Sequence, residues 1–200
     1  VKHLIRTIMV SRTYQLSAAP NDTNRDDDAN FSHATVRRLS AEQLADSIAL
    51  ALDAPLSFNG YPVGTRAAQL AGVRAFRRRD SGPASGDAFL TTFGKPPRLQ
   101  ACACERSEDT TLAQTFQLVS GPVLNDLLAR QDNRLRQWLS SDASSDATID
   151  SLYWTTLSRP PSSNELSAAK KHLSSSGNNR ANLEDVIWSL LNSDEFLLRR

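Results

Sequence analysis

The stretch that decides the fold reads Phe89-Leu-Thr-Thr-Phe-Gly-Lys-Pro-Pro-Arg-Leu-Gln-Ala-Cys-Ala-Cys-Glu-Arg-Ser-Glu-Asp-Thr-Thr-Leu-Ala-Gln-Thr-Phe116. It carries both cysteines of the chain, a double proline and a dense mixture of charges. Phe89, Leu90 and Phe93 form a short apolar patch that Gly94 ends. Pro96 and Pro97 hold the backbone extended, because each ring fixes its own φ and Pro97 disfavours the helical region for Pro96. Alternation along the extended run Leu99 to Cys104 puts Cys102 and Cys104 on one face. Asp109, Thr110 and Thr111 then offer side-chain oxygens as helix caps. Leu112, Phe116 and Val119 recur at i, i+4 and i+7, the spacing of one apolar stripe on a helix. The stretch is therefore expected to be a buried connector feeding a core helix.

Working outward, Lys2 to Tyr14 places Leu4, Ile5, Ile8 and Met9 at helical spacing, which predicts a first helix. Pro20 to Asn30, with Asp26-Asp27-Asp28, reads as a loop. Ser40-Ala-Glu-Gln43 is a capping box ahead of Leu44, Ile48 and Leu52, and Asp53-Ala-Pro55 stops that helix. From Leu56 to Ser107 the chain holds most of its eight glycines and nearly half of its nine prolines. That composition predicts extended connectors or short hairpins. Downstream, Gly121-Pro122 breaks one helix and starts another that runs to about Arg130. Asn133 to Leu139 is a short helix carrying Trp138. Ile149, Leu152, Tyr153 and Leu157 mark the next helix, ended by Arg159-Pro-Pro161. Ser162-Ser-Asn-Glu165 is a second capping box, leading to Leu166, Ala169 and Leu173. The last helix buries Leu183, Val186, Ile187, Leu190 and Leu191, with Phe196 and Leu197 close behind. The fold class is mainly α: a helical domain of about seven or eight helices with an irregular, extended connector in the middle. One domain is expected over 1–200, with the connector at about 54–110 and a C-terminal helical subregion at about 145–200. Phe89, Phe93, Phe116 and Trp138 are expected in the core, at about 1.5–3 kcal/mol each.

The totals exclude some classes of function. At 200 residues and 40% hydrophobic, the chain is long enough to bury the core of one domain. Its net charge of +1 gives no global field toward nucleic acid or an anionic membrane. No apolar run approaches the roughly 18 residues of a membrane span. No signal peptide is read, because Val1-Lys-His-Leu-Ile enters amphipathic helix directly. Starting mid-pattern without Met, the chain is expected to be a piece of a longer protein.

Cys102, Cys104, Glu105 and Arg106 are the candidate functional or structural cluster. Two thiols two residues apart could be half of a zinc site, but His3, His33 and His172 lack ligand spacing to complete it. A disulfide between them needs a compressed backbone. Arg106 would lower a thiol pKa and Glu105 oppose it. Buried structural thiols lead, ahead of a disulfide, a metal site and a reactive centre, and all four stay open. Arg74, Arg77, Arg78 and Arg79 form a basic cluster with Phe76 alone inside it, which reads as a solvated loop or a contact to an acidic partner. Asp26-Asp27-Asp28 lacks the alternating ligands, central Gly and closing Glu of a calcium loop. Glu105, Arg106, Glu108 and Asp109 suit buried ion pairs that hold the connector. No cofactor, metal or nucleic-acid partner is assigned, and the residues decide neither for nor against an enzyme.

Five ordered segments together carry a resemblance. They are Leu4 to Ser17, Arg37 to Ile48, Phe93-Gly-Lys-Pro-Pro-Arg98 through Cys102-Ala-Cys-Glu-Arg-Ser107, Leu112-Ala-Gln-Thr-Phe-Gln-Leu118, and Leu157-Ser-Arg-Pro-Pro161 with Leu183 to Phe196. The chain resembles the C-terminal domain of unknown function numbered fifteen fifty-three, common in planctomycetes and related bacteria. Leu118-Val-Ser-Gly121 and Arg77-Arg-Arg79 depart from the family's usual pattern. The resemblance implies an extracytoplasmic setting, at the periplasm or cell surface, within a large exported protein. Some such proteins carry cytochrome-c-like modules. It also implies an upstream domain of the same parent as partner, with a cell-surface or polysaccharide-processing partner beside it, and brings no established activity. Two readings follow. The first is a non-catalytic structural or interaction module of an exported multidomain protein. The alternative is an accessory domain of a hydrolase or redox system, its site formed by the cysteine cluster with Arg6 or Arg12; electron transfer to a haem partner rests on family context alone.

Overall fold

A computed structural model describes residues 1–17, 19–27, 29–30, 32–34, 36–70, 84–95, 111–141, 143–175 and 178–199. The described residues fall into two compact units, Val1–Arg38 with Leu198–Arg200, and Leu39–Leu197.

In the first unit α1 (Lys2–Met9) has no buried side chain. It ends five residues before Tyr14, because the Ser11 hydroxyl donates to Ile8 O at 2.7 Å and accepts from Tyr14 N, a local bond that competes with helix continuation. In the following loop Asp27 Oδ1 accepts from Ala29 N and Asn30 N, a turn closed by its own side chain. β1 (Arg37–Arg38) then pairs antiparallel with β2 (Leu198–Arg199), Arg37 opposite Arg199 and Arg38 opposite Leu198. Nothing in the sequence pattern announced this pair, since two-residue strands carry no periodicity.

The second unit begins with the Ser40–Gln43 capping box of α2 (Ala41–Leu52), whose Leu44, Ala45, Ile48 and Leu52 are buried. Asp53 stops the helix in the left-handed region at φ 50°. Asp46, from the same helix, accepts from the amides of Ala67 and Ala68 and so caps the short 3-10 turn Ala67–Gln69.

The run from Leu56 to Ser107 is irregular in its other described residues apart from the 3-10 turn, as expected, but α3 (Ser85–Thr92) is a helix where connectors or hairpins were expected. Phe89 and Leu90 are buried on it, Phe93 follows it, and the Phe89 and Phe93 rings stack at 4.4 Å. Gly86 is what admits the helix. Its amide donates to Ser57 O at 3.0 Å, and a Cβ there would lie 2.3 Å from the Phe58 ring. A glycine that reads as a helix breaker is the close-approach point of a helix packed on a loop. Gly94 ends the element at φ 78°.

α4 (Leu112–Val119) starts at Thr111, with Gln114 completing a capping box. Its expected apolar stripe faces outward: Leu112, Phe116 and Val119 are 72%, 59% and 49% exposed. The buried face is instead set by Gln114, whose Nε2 donates to Thr92 O at the end of α3. A buried amide bond outweighs the stripe in fixing the rotation of so short a helix. Phe116 therefore leaves the predicted core, and Trp138 is only half-buried.

α5 (Pro122–Ala129) begins on Gly121-Pro122 as expected. α6 (Arg134–Ser140), α7 (Ser145–Leu157), α8 (Ser163–Leu173), α9 (Asn179–Leu191) and the single turn α10 (Asp194–Leu197) follow. Leu124, Leu135, Ile149, Leu152, Leu183, Ile187 and Leu191 are almost wholly buried together. Burial of such side chains contributes about 1.5–3 kcal/mol each.

Candidate functional site

Cys102, Cys104, Glu105 and Arg106 lie outside the described residues, as do Glu108, Asp109, Arg74, Arg77, Arg78 and Arg79. The described chain defines where the cysteine stretch leaves and returns. It leaves after Lys95, a buried lysine whose Nζ donates to Ala67 O at 3.4 Å. It returns at Thr111, one turn before Gln114 reaches back to Thr92 O. Arg6 and Arg12 are exposed, on α1 and in the turn after it.

Among the described residues the densest charge cluster was not foreseen. Arg159 follows Ser158, which ends α7 in the left-handed region at φ 58°. Its guanidinium donates from Nε and Nη2 to Glu195 at 2.7 Å each, and from Nη1 and Nη2 to Glu165 at 2.9 and 2.8 Å. The same group lies over the Tyr153 ring, 5.6 Å from its centre. One arginine thus ties the end of α7 to the start of α8 and to α10. Glu165 also accepts from Ser162 N in the capping box. Arg159 and that backbone bond hold the Glu165 carboxyl down to about 2. Arg159 is pushed above its ordinary value by the two carboxylates, and burial, then the charge of Glu165, raises Tyr153. A carboxylate held so acidic is a weak base, so the cluster clamps helices and is poorly suited to moving protons. The signal available in sequence was Arg-Pro-Pro followed by a capping box, which places Arg159 beside Glu165 but not beside Glu195.

A second arginine closes a helix end. Arg180 donates from Nη2 to Leu128 O and Arg130 O and from Nε to Glu184 at 2.6 Å. Asn133 Nδ2, buried, donates to Leu127 O and Leu128 O at 2.9 Å each. Together they satisfy the carbonyls at the end of α5 that its own helix leaves open. An open cleft of about 470 Å³ runs beside them, lined by Asn125, Leu128, Ala129, Glu184, Asp185 and Trp188. Its carboxylates are engaged, Glu184 by Arg180 and Asp185 by His172 Nε2 at 3.2 Å.

Asp27 is held at about 2, chiefly by the Ser32 hydroxyl and the Asn30 amide, as expected of a closed loop turn. No group of three or more His, Cys, Asp or Glu among the described residues is arranged to hold a metal ion. No helix among them is long and apolar enough to cross a membrane.

Among the described residues the chain is mainly α-helical, and Arg159 and Arg180 tie helix ends together. The chain belongs to the family described as PSD1: Protein of unknown function (DUF1553), whose model matches residues 1–173, from α1 through the end of α8. No curated protein matches, and no solved structure matches. Leu183 to Phe196 lies beyond the matched residues.

Proposed function

We propose that the chain is a non-catalytic interaction module of an exported, multidomain bacterial protein, working outside the cytoplasm. In this reading 1–200 is a C-terminal helical domain that packs against the domain preceding it in the parent chain. A cell-surface or polysaccharide-processing partner is the further candidate. The observation that carries the reading is the outward stripe of α4, where Leu112, Phe116 and Val119 are each about half exposed or more. Single exposed apolar residues need no explanation, but three in register along one helix suit a protein contact.

Titration calorimetry between this chain and the preceding domain of its parent tests the reading. Binding that Leu112→Asp and Phe116→Asp weaken at least about tenfold supports it, since each buried anchor is worth more than about 1.4 kcal/mol. A monomeric chain with no affinity for that domain overturns it. Thiol titration of the folded chain, with and without denaturant, bears on the alternative. Thiols hidden until denaturation favour the module. Native-state reactivity, an oxidised pair or bound metal would move the working site to Cys102, Cys104, Glu105 and Arg106.

A further inference from the structure

We propose that α1 is a surface helix that docks the chain on an anionic lipid bilayer. This rests on reading the chain as an interaction module and names the partner of a face separate from α4.

Leu4, Ile5, Ile8 and Met9 are 62%, 54%, 46% and 49% exposed, and no residue of α1 is buried. Leu4 with Ile8 and Ile5 with Met9 are i, i+4 pairs, so the four share one face, while Lys2, His3, Arg6 and Thr7 take the other. The segregation is sharper than in α2, α4 or α9. An amphipathic helix that serves a folded core buries its apolar face; α1 does not.

The charge on the polar side says what covers the apolar one. From Val1 to Asn21 the chain carries Lys2, Arg6 and Arg12 and no Asp or Glu. None of the three is ion-paired among the described residues. The first acid, Asp22, is held by Arg25. The surface that covers α1 must therefore be apolar beneath and negative at its rim. The headgroup boundary of an anionic bilayer has both properties and asks for no shape-matched groove. Lys2 and Arg6 can lay their stems along the apolar face and keep their charges among phosphates. Tyr14 and Leu16, 58% and 67% exposed, follow the helix in the chain, and a tyrosine ring suits a membrane interface. Two turns offer little apolar area, so attachment needs both terms and is salt-sensitive.

Flotation of the whole chain with vesicles of equimolar phosphatidylcholine and phosphatidylglycerol, against phosphatidylcholine alone, tests the proposal. The chain should float with the anionic vesicles only, and binding should fall as salt rises from about 0.1 to about 0.5 M. Lys2→Gln and Arg6→Gln should each weaken it about fivefold, from about 1 kcal/mol per basic residue at a surface. Leu4→Asp with Ile8→Asp should abolish it with little change in the melting temperature, because no residue of α1 is buried. Failure to bind anionic vesicles, equal binding to neutral ones, or indifference to the Leu4 and Ile8 changes would overturn the proposal. Loss of affinity for the preceding domain in the α1 variants, with no vesicle binding, would assign the face to a protein. The α4 variants report on the interaction module separately, so either idea can fail alone.

Discussion

Replacing Arg159 by methionine keeps the stem that covers Tyr153 and removes the charge that holds Glu165 and Glu195 together. The side chains of Arg159, Glu165 and Glu195 are 34%, 33% and 43% exposed, so water screens each pair. A screened pair of good geometry is worth about 1 kcal/mol. Two pairs, with the loss of the contact to the Tyr153 ring, give a total cost of roughly 2 kcal/mol. For a chain of this length that lowers the melting temperature by roughly 4–8 °C. The pH dependence identifies the source. Glu165 titrates at about 2 in the folded chain against an ordinary 4.5. Its folded value is depressed, so its contribution is complete above about pH 5 and is lost as pH falls through 4.5 toward 2. Arg159 stays charged throughout. Urea titrations followed by circular dichroism, at pH 7 and near pH 2, should show the gap between parent and Arg159→Met narrowing in acid. Glu165→Gln preserves the capping-box acceptor, so Arg159→Met made on that background should cost about half as much. A gap below about 0.5 kcal/mol at pH 7, or one that does not change with pH, would refute the clamp.

Four further changes probe the packing. Gly86→Ala puts a Cβ 2.3 Å from the Phe58 ring and 2.6 Å from Ser57 O, and should cost about 1–3 kcal/mol in urea denaturation. Ile187→Ala, at a fully buried position, should cost about 2–5 kcal/mol, whereas Phe116→Ala should stay within about 0.5 kcal/mol; equal losses would place Phe116 in the core after all. Gln114→Ala leaves Thr92 O without that donor and should cost about 1–3 kcal/mol, read as earlier exchange of the α4 amides.

The starts of α2, α5 and α8 were legible in the sequence because they are decided within three or four residues. Ser40 with Gln43 and Ser162 with Glu165 form the capping boxes that their spacing announced, and Gly121-Pro122 breaks and restarts the chain where expected. The core of α7 and α9 was legible for the same reason, since Ile149 with Leu152 and Leu183 with Ile187 fall three and four residues apart, the helical spacing. The clamp was half legible, with Glu165 near Arg159 in the chain and Glu195 brought to it only by the fold.

Tertiary structure alone decided which side of a short helix is inside. In α4 the bond from Gln114 to Thr92 O, not the apolar stripe, sets the rotation; in α1 no residue of the stripe is buried. It alone made a helix of the glycine-rich run at Ser85–Thr92, because the room that Gly86 leaves for Phe58 has meaning only once the two are in contact. It alone joined Arg37 and Arg38 to Leu198 and Arg199, a pairing across nearly the whole chain. Caps and periodicity act through neighbours in sequence, and so a sequence declares them. Burial, close approach and long-range pairing depend on which distant surface arrives, and only the folded chain supplies that.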